Sequence, residues 1–218
     1  MTRCRHIIWD WNGTLLDDIA IVVDVMNTLL RPRGLPLLTH ERYRELFDFP
    51  VRVYYEALGF DFAREPFEAL AEEWVAAFSG RWRQASLQPG AMRAITSLRA
   101  DGIGQSVLSA AEQSVLEAQA HHFGLAPHLD RLVGIDDHHA ESKLEHGRRW
   151  LHELAIDPAE VLLVGDTTHD FEVATALGVR VVLIDDGHQS RTRLERCGAP
   201  VLDSLSDLLP AVRSSVPL

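Results

Sequence analysis

Four short apolar runs, each followed by polar or acidic residues, constrain this chain more than any other feature. They are His6-Ile7-Ile8-Trp9, Ser106-Val107-Leu108, Val161-Leu162-Leu163-Val164 and Val179 to Ile184. Short apolar runs bounded by polar residues read as buried strands. Between them lie stretches with helical spacing at 91–99, 113–123, 144–154 and 170–177. Strands alternating with helices imply βαβ units. The predicted fold is therefore α/β, a Rossmann-like parallel sheet flanked by helices. Val115, Leu116, Gln119, His122 and Phe123 follow one helical face, with His122 expected toward the core, His121 in solvent and Gly124 as the C-cap. Asp157-Pro158 supplies an N-cap and a first-turn proline.

The first and second runs are separated by about ninety residues that carry helical patterns only, at 18–30, 41–47, 51–58 and 65–78. Nothing in that gap reads as a buried strand. The expected division is an α/β core formed by 1–17 and 86–218, with a small α-helical domain, 18–85, inserted after the first strand. Leu87-Gln88-Pro89-Gly90 reads as the return linker. A length of 218 residues suits one core plus one insert.

Charge and cysteine content exclude several classes. The net charge of −11 leaves no basic footprint for nucleic acid. Cys4 and Cys197 are too few and too far apart for a disulfide framework or a thiolate zinc site. The apolar runs fall far short of the ~20 residues that span a bilayer, and Asp10 comes too early for a signal peptide. A soluble, cytoplasmic protein is expected, as a monomer or homodimer. Twenty of the 21 basic residues are Arg, and the one lysine is Lys143. That lysine is either a survivor of coding bias or a position that needs a compact ammonium.

In open parallel sheets, ligands bind beyond the carboxyl ends of the strands. The residues there are Asp10-Trp11-Asn12-Gly13-Thr14, Ser109-Ala110, and Gly165-Asp166-Thr167-Thr168-His169-Asp170, with Lys143 before a helix. Two or three carboxylates, a hydroxyl and an ammonium would converge at one edge. Adjacent carboxylates repel unless a cation neutralises them, and oxygen ligands favour Mg²⁺. A cation, a lysine and a hydroxyl donor suit a phosphoryl group, and an aspartate can attack it to form an aspartyl-phosphate.

These residues resemble the four motifs of the haloacid dehalogenase-like (HAD) hydrolases, in the phosphoglycolate-phosphatase-like branch with a helical cap. Ile7 to Asp17 resembles the first motif, hhhhDxDGTLxD. Ser109 after an apolar run resembles the second, Lys143 stands where the third places its lysine, and Val164-Gly165-Asp166 through Asp170 resembles the fourth. Each motif is weak alone; four in order make a specific signal over nearly the whole chain. The resemblance implies an enzyme, with Asp10 as nucleophile and Mg²⁺ ligand, and Asp166 and Asp170 as further metal residues. Ser109 and Lys143 would hold the phosphoryl group, with Gly13, Thr14 and Ala110 lining its site. The insert would be the cap, and the substrate a small phosphorylated metabolite.

One position departs from the pattern. The family's phosphatases carry Asp two residues after the nucleophile, as general acid and base. This chain has Asn12, which keeps a backbone carbonyl for the metal but cannot transfer that proton. Hydrolysis is then slowed, or His169 supplies the proton, or the substrate has a good leaving group. The alternative is a catalytically weak HAD-fold protein that binds a phosphometabolite or regulates a partner. Restoring Asp at position 12 raises hydrolysis if the missing donor is the bottleneck. A phosphonatase reading is disfavoured because the insert contains no lysine for a Schiff base.

The remaining candidates have plainer readings. Asp17 and Asp18 precede a helical run and read as caps. Asp136-Asp137-His138-His139 reads as a polar loop. Trp9 is expected in the core, and Trp11 either in the core or stacked on a substrate. Phe47-Asp48-Phe49-Pro50 and Tyr54-Tyr55 read mainly as packing of the insert. Arg52, Arg191, Arg193 and Arg196 read as solvated surface.

Overall fold

The computed structural model describes residues 3–135 and 143–213. The segment Asp136-Asp137-His138-His139 therefore lies outside the described residues. The strands are β1 (His6–Trp9), β2 (Leu16–Asp17), β3 (Ser86–Leu87), β4 (Gly104–Glu112), β5 (Arg131–Ile135), β6 (Val161–Gly165), β7 (Arg180–Ile184) and β8 (Val201–Leu202). Six of them form one parallel sheet in the order β5-β4-β1-β6-β7-β8. The strand β1 is central, pairing Trp9 with Val107 on one side and Val164 on the other.

The helices are α1 (Ile19–Leu30), α2 (His40–Leu46), α3 (Val51–Leu58), α4 (Phe67–Ser79), α5 (Ala91–Ala100), α6 (Gln113–His122), α7 (Lys143–Leu154), α8 (Thr168–Leu177), α9 (Arg191–Glu195) and α10 (Leu208–Arg213). Alternation along the strands sorts the core into two layers. Ile7, Trp9, Leu162 and Val164 join the apolar cluster with Ile95 and Leu98 of α5, Leu116 of α6 and Leu208 of α10. Ile8, Val161 and Leu163 face the other way, onto Val173 and Leu177 of α8, with Leu151 and Leu154 of α7 packed alongside. Both faces are covered, which is why these strands read as unbroken apolar runs.

Two sheet strands escape the pattern of apolar runs. The strand β5 has a half-buried sequence broken by Gly134, and β8 is only two residues long. Asp157 caps the turn at 158–160 by accepting from the Ala159 amide at 2.9 Å. His122 is exposed rather than core-facing, lying edge-on to Trp82 with centroids 5.3 Å apart.

Helices α1 to α4 gather their own apolar cluster, including Met26, Leu29, Tyr43, Tyr54, Tyr55, Leu58 and Leu70. The segment enters and leaves through an antiparallel ribbon, Leu16 opposite Leu87 and Asp17 opposite Ser86. So Asp17 is a strand residue, and Leu87 ends a strand instead of starting a linker. Arg52 is not simply solvated: its guanidinium sits 4.4 Å from the Phe62 ring centroid. Arg193 is also more than surface, because it reaches the 45–48 segment and donates to Asp48 Oδ2 at 2.8 Å. Arg44 of α2 makes the reverse tie, to Asp185 Oδ1 at 2.7 Å and to the Gln189 carbonyl at 2.9 Å. Arg191 pairs with Asp185 at 3.0 Å, whereas Arg196 is exposed. No helix among the described residues is long and apolar enough to cross a membrane.

Candidate active site

Strand register sets the site. Asp10 lies one residue beyond Trp9, while Ser109 and Asp166 lie two residues beyond Val107 and Val164, the partners of Trp9. All three therefore emerge at the carboxyl edge of adjacent strands, where the topology reverses around β1. Asp170 arrives on the first turn of α8. There Thr167 accepts from the Asp170 amide, while Asp170 Oδ2 accepts from the Thr167 backbone at 3.0 Å and its hydroxyl at 2.7 Å. Lys143 opens α7 and is 5% exposed.

The Lys143 ammonium bridges two carboxylates, donating to Asp10 Oδ1 and, at 2.6 Å, to Asp170 Oδ1. Asp10, Asp166 and Asp170 are buried, with one oxygen from each lying within 4.8 Å of the others. Burial, together with the Asp170 and Asp166 charges, pushes the Asp10 carboxyl up to about 8 despite Lys143. Burial and Asp170 push Asp166 up to about 6, against the attraction of His188. Asp170 goes the other way: Lys143 and its hydrogen bonds overcome burial and hold it below the usual carboxylate range. Lys143 is itself raised, its two carboxylates outweighing the burial that would lower it. Three buried carboxylates served by one ammonium form an all-oxygen donor set with excess negative charge, which fits a hard divalent cation. Asp10, Asp166 and Asp170 are the side chains that would hold it.

Other residues shape this cluster. Thr14 Oγ1 donates to Asp166 Oδ1 at 2.5 Å, and the His188 backbone N–H donates to Asp166 Oδ2 at 2.7 Å. Gln88 Nε2 donates to the Gly13 carbonyl at 2.9 Å. Gly13 has φ +80°, and a Cβ there would collide with the Asp166 carboxylate and the His188 ring. Gly13→Ala is therefore expected to lower stability by roughly 1–3 kcal/mol from backbone strain. It should also weaken metal binding by displacing Asp166; denaturant melts and metal titration check both. Ser109 is buried, its Oγ accepting from the Ala111 amide at 3.0 Å, and Ala110 is exposed at the same edge.

The structure relocates several other residues. Trp11 belongs to the core: it is fully buried, and its Nε1 donates to Gln119 Oε1 at 2.7 Å, so it does not stack on a ligand. Trp9 is also core. Asp18 stands at the N-cap position of α1 but makes no capping hydrogen bond. Its Oδ2 instead accepts from Asn12 Nδ2 at 2.7 Å. Its Oδ1 lies 3.2 Å from His188 Nε2, an ionic contact without hydrogen-bond alignment. His169 packs against Phe49 with centroids 4.8 Å apart and faces Glu172 at 3.4 Å. His188, which sequence reasoning overlooked, is buried, and its Nδ1 meets the Tyr43 hydroxyl at 2.7 Å. Burial alone would lower the His188 imidazole, but Asp18, Asp166 and Asp10 raise it to about 9. The missed signal was the strand-end rule, since His188 follows β7, the neighbour of β6.

A sheet with this acidic edge defines a class, and sequence comparison identifies it. Residues 7–184 match the family model for haloacid dehalogenase-like hydrolases, and the chain belongs to that family. Probable phosphatase IndB of Dickeya dadantii is 24% identical over 97% of this chain and 95% of its own. A phosphoglycolate phosphatase of Rhodospirillum rubrum is 27% identical over 94% of this chain and 89% of its own. Among solved structures, the haloacid dehalogenase-like protein SP0104 of Streptococcus pneumoniae shares the fold. It matches with a TM-score of 0.84 and 18% identity, covering 98% of this chain and all of that one.

Proposed function

We propose that the protein is a Mg²⁺-dependent phosphatase of a small phosphorylated metabolite, working through an aspartyl-phosphate on Asp10. The observation that carries this reading is Lys143 bridging Asp10 and Asp170 beside Asp166. The phosphatase names of the relatives support it. Mg²⁺, held by Asp10, Asp166, Asp170 and the Asn12 carbonyl, would supply charge neutralisation to a bound phosphate. An oxygen of Asp10 attacks phosphorus as the ester P–O bond breaks, and the leaving alkoxide takes a proton from solvent, which the water attacking in the second step returns. Water then attacks phosphorus, releasing phosphate and restoring Asp10. Lys143 favours the ionised form of Asp10 against its burial and, together with the metal, neutralises the transferred group, while the Ser109 hydroxyl donates to it. Residues 18–85 act as a cap on a core of 1–17 and 86–218, with Gly13, Thr14 and Ala110 lining the phosphoryl site.

A panel of small phosphate esters assayed with Mg²⁺ and with chelator tests this reading. Metal-dependent turnover supports it, and turnover unaffected by chelator would sink it. Asn12 keeps a second reading in view, because its amide already serves Asp18 and cannot transfer a proton. In that reading the protein binds a phosphometabolite without rapid turnover. Calorimetry separates the two: a ligand that stays bound and intact favours the binder.

Protonation of the carboxylates competes with the metal. Asp10 and Asp166 titrate near 8 and 6 without metal, above ordinary carboxylates, so the metal-free folded state binds more protons than the unfolded chain. These two groups therefore make metal-free stability fall as pH rises through that window. Added Mg²⁺ should displace the protons, and its stabilisation should grow from pH 6 to pH 8. Thermal melts with and without Mg²⁺ across that range read the trend; a gap that shrinks with pH contradicts it.

A further inference from the structure

Positions 12 and 18 are chemically interdependent. Asp18 is 1% exposed, so water cannot satisfy its carboxylate, and the Asn12 amide donates to one oxygen at 2.7 Å. The other oxygen faces His188 Nε2 at 3.2 Å. His188 Nδ1 in turn meets the hydroxyl of Tyr43, a fully buried residue of α2. The row crosses three parts of the fold: the loop after β1, the loop after β7, and the helical insert, which it meets twice, at the start of α1 and on α2. An aspartate at position 12 would set a second carboxylate against Asp18 and remove the donor that Asp18 uses. Like charges held that close in a buried site disfavour each other. The amide at position 12 is what a buried carboxylate at position 18 requires.

We propose that Asp18 is a positioning residue for the reaction: it fixes the Asn12 side chain and, through His188 and Tyr43, couples that placement to the seating of the helical insert. This rests on the phosphatase reading and deepens it at the same site. Residues 12 and 18 can then be exchanged only together. Restoring aspartate at position 12 alone does not restore an acid to the reaction; it breaks the pair.

The test compares Asn12→Asp, Asp18→Asn, the double exchange carrying both, and Tyr43→Phe. Kinetics use p-nitrophenyl phosphate with Mg²⁺, and thermal midpoints are taken without metal. Each single change at 12 or 18 should lower kcat at least about tenfold with KM altered less than about threefold, a split that loosened packing alone would not produce. The double exchange should return kcat to within about threefold of the parent. Tyr43→Phe should lower kcat about three- to tenfold while the midpoint moves by less than about 3 °C. Singles at 12 and 18 should lower the midpoint by about 3–6 °C, and the double exchange should recover it. A double exchange whose kcat loss equals the product of the single losses would overturn the proposal, as would an Asn12→Asp variant that is faster than the parent. If the parent hydrolyses no phosphate ester, the phosphatase reading fails by itself. Coupling is then judged on the midpoints, where recovery supports the pairing and additivity overturns it.

Discussion

Replacing Asp10 by asparagine is expected to reduce phosphate-ester turnover at least ~10³-fold, because no other group can take the phosphoryl through that oxygen. The substitution is nearly isosteric, and Lys143 keeps Asp170 as a partner at 2.6 Å. The variant should therefore fold with a midpoint close to the parent's. Acid-quenched parent enzyme should carry phosphate on the peptide that contains Asp10, detectable by its added mass, and the variant should not. Residual turnover above about a tenth of the parent's would show that Asp10 is not the nucleophile.

The second large effect is expected at Lys143. Truncation to alanine leaves Asp10 and Asp170 buried without their ammonium, which typically costs about 3–5 kcal/mol. That is a large share of the 5–15 kcal/mol that hold a typical domain together. The missing charge should also slow turnover by roughly 10²–10³-fold, the range for losing one electrostatic stabiliser of a transition state. The stability loss should be greater at pH 8 than at pH 5, where the orphaned carboxylates can take protons instead. Urea denaturation at both pH values, beside steady-state rates, measures both effects. Lys143→Arg should stay well below the parent, since a planar fork replaces a compact ammonium between two close carboxylates. Equal stability of Lys143→Ala and parent at pH 8 would refute the bridging role.

Much of the fold and of the acidic cluster was legible in the residues. The four apolar runs became β1, β4, β6 and β7; the strand-end rule pointed to the edge where Asp10, Asp166 and Asp170 meet, and Lys143 joins them from the start of α7. What escaped had physical reasons. The edge strands β5 and β8 bury too little to leave an apolar run. Asp18 looked like a helix cap because an aspartate before a helical run usually is one. Its hydrogen bond to Asn12 and its contact with His188, 170 residues further on, exist only in the fold. Trp11 looked available to a ligand because it follows Asp10; its partner Gln119 lies on α6, more than a hundred residues away. Arg193 looked solvated because helix spacing says nothing about the 45–48 segment that folds back against it.

The short ribbon of β2 and β3 has a consequence for ancestry and engineering. With Leu16 opposite Leu87 and Asp17 opposite Ser86, the two ends of the helical insert are neighbours, and neighbouring antiparallel residues lie only about 5 Å apart. Such a junction accepts a foreign module of any length without asking the sheet to move. The graft would have to re-create the ties that reach across it, at Tyr43 and Arg44 on one side and His188, Gln189 and Arg193 on the other. A chimera that keeps the ribbon but exchanges what it carries would keep Asp10, Asp166 and Asp170 on the sheet, yet would have to rebuild the carboxylate that meets Asn12.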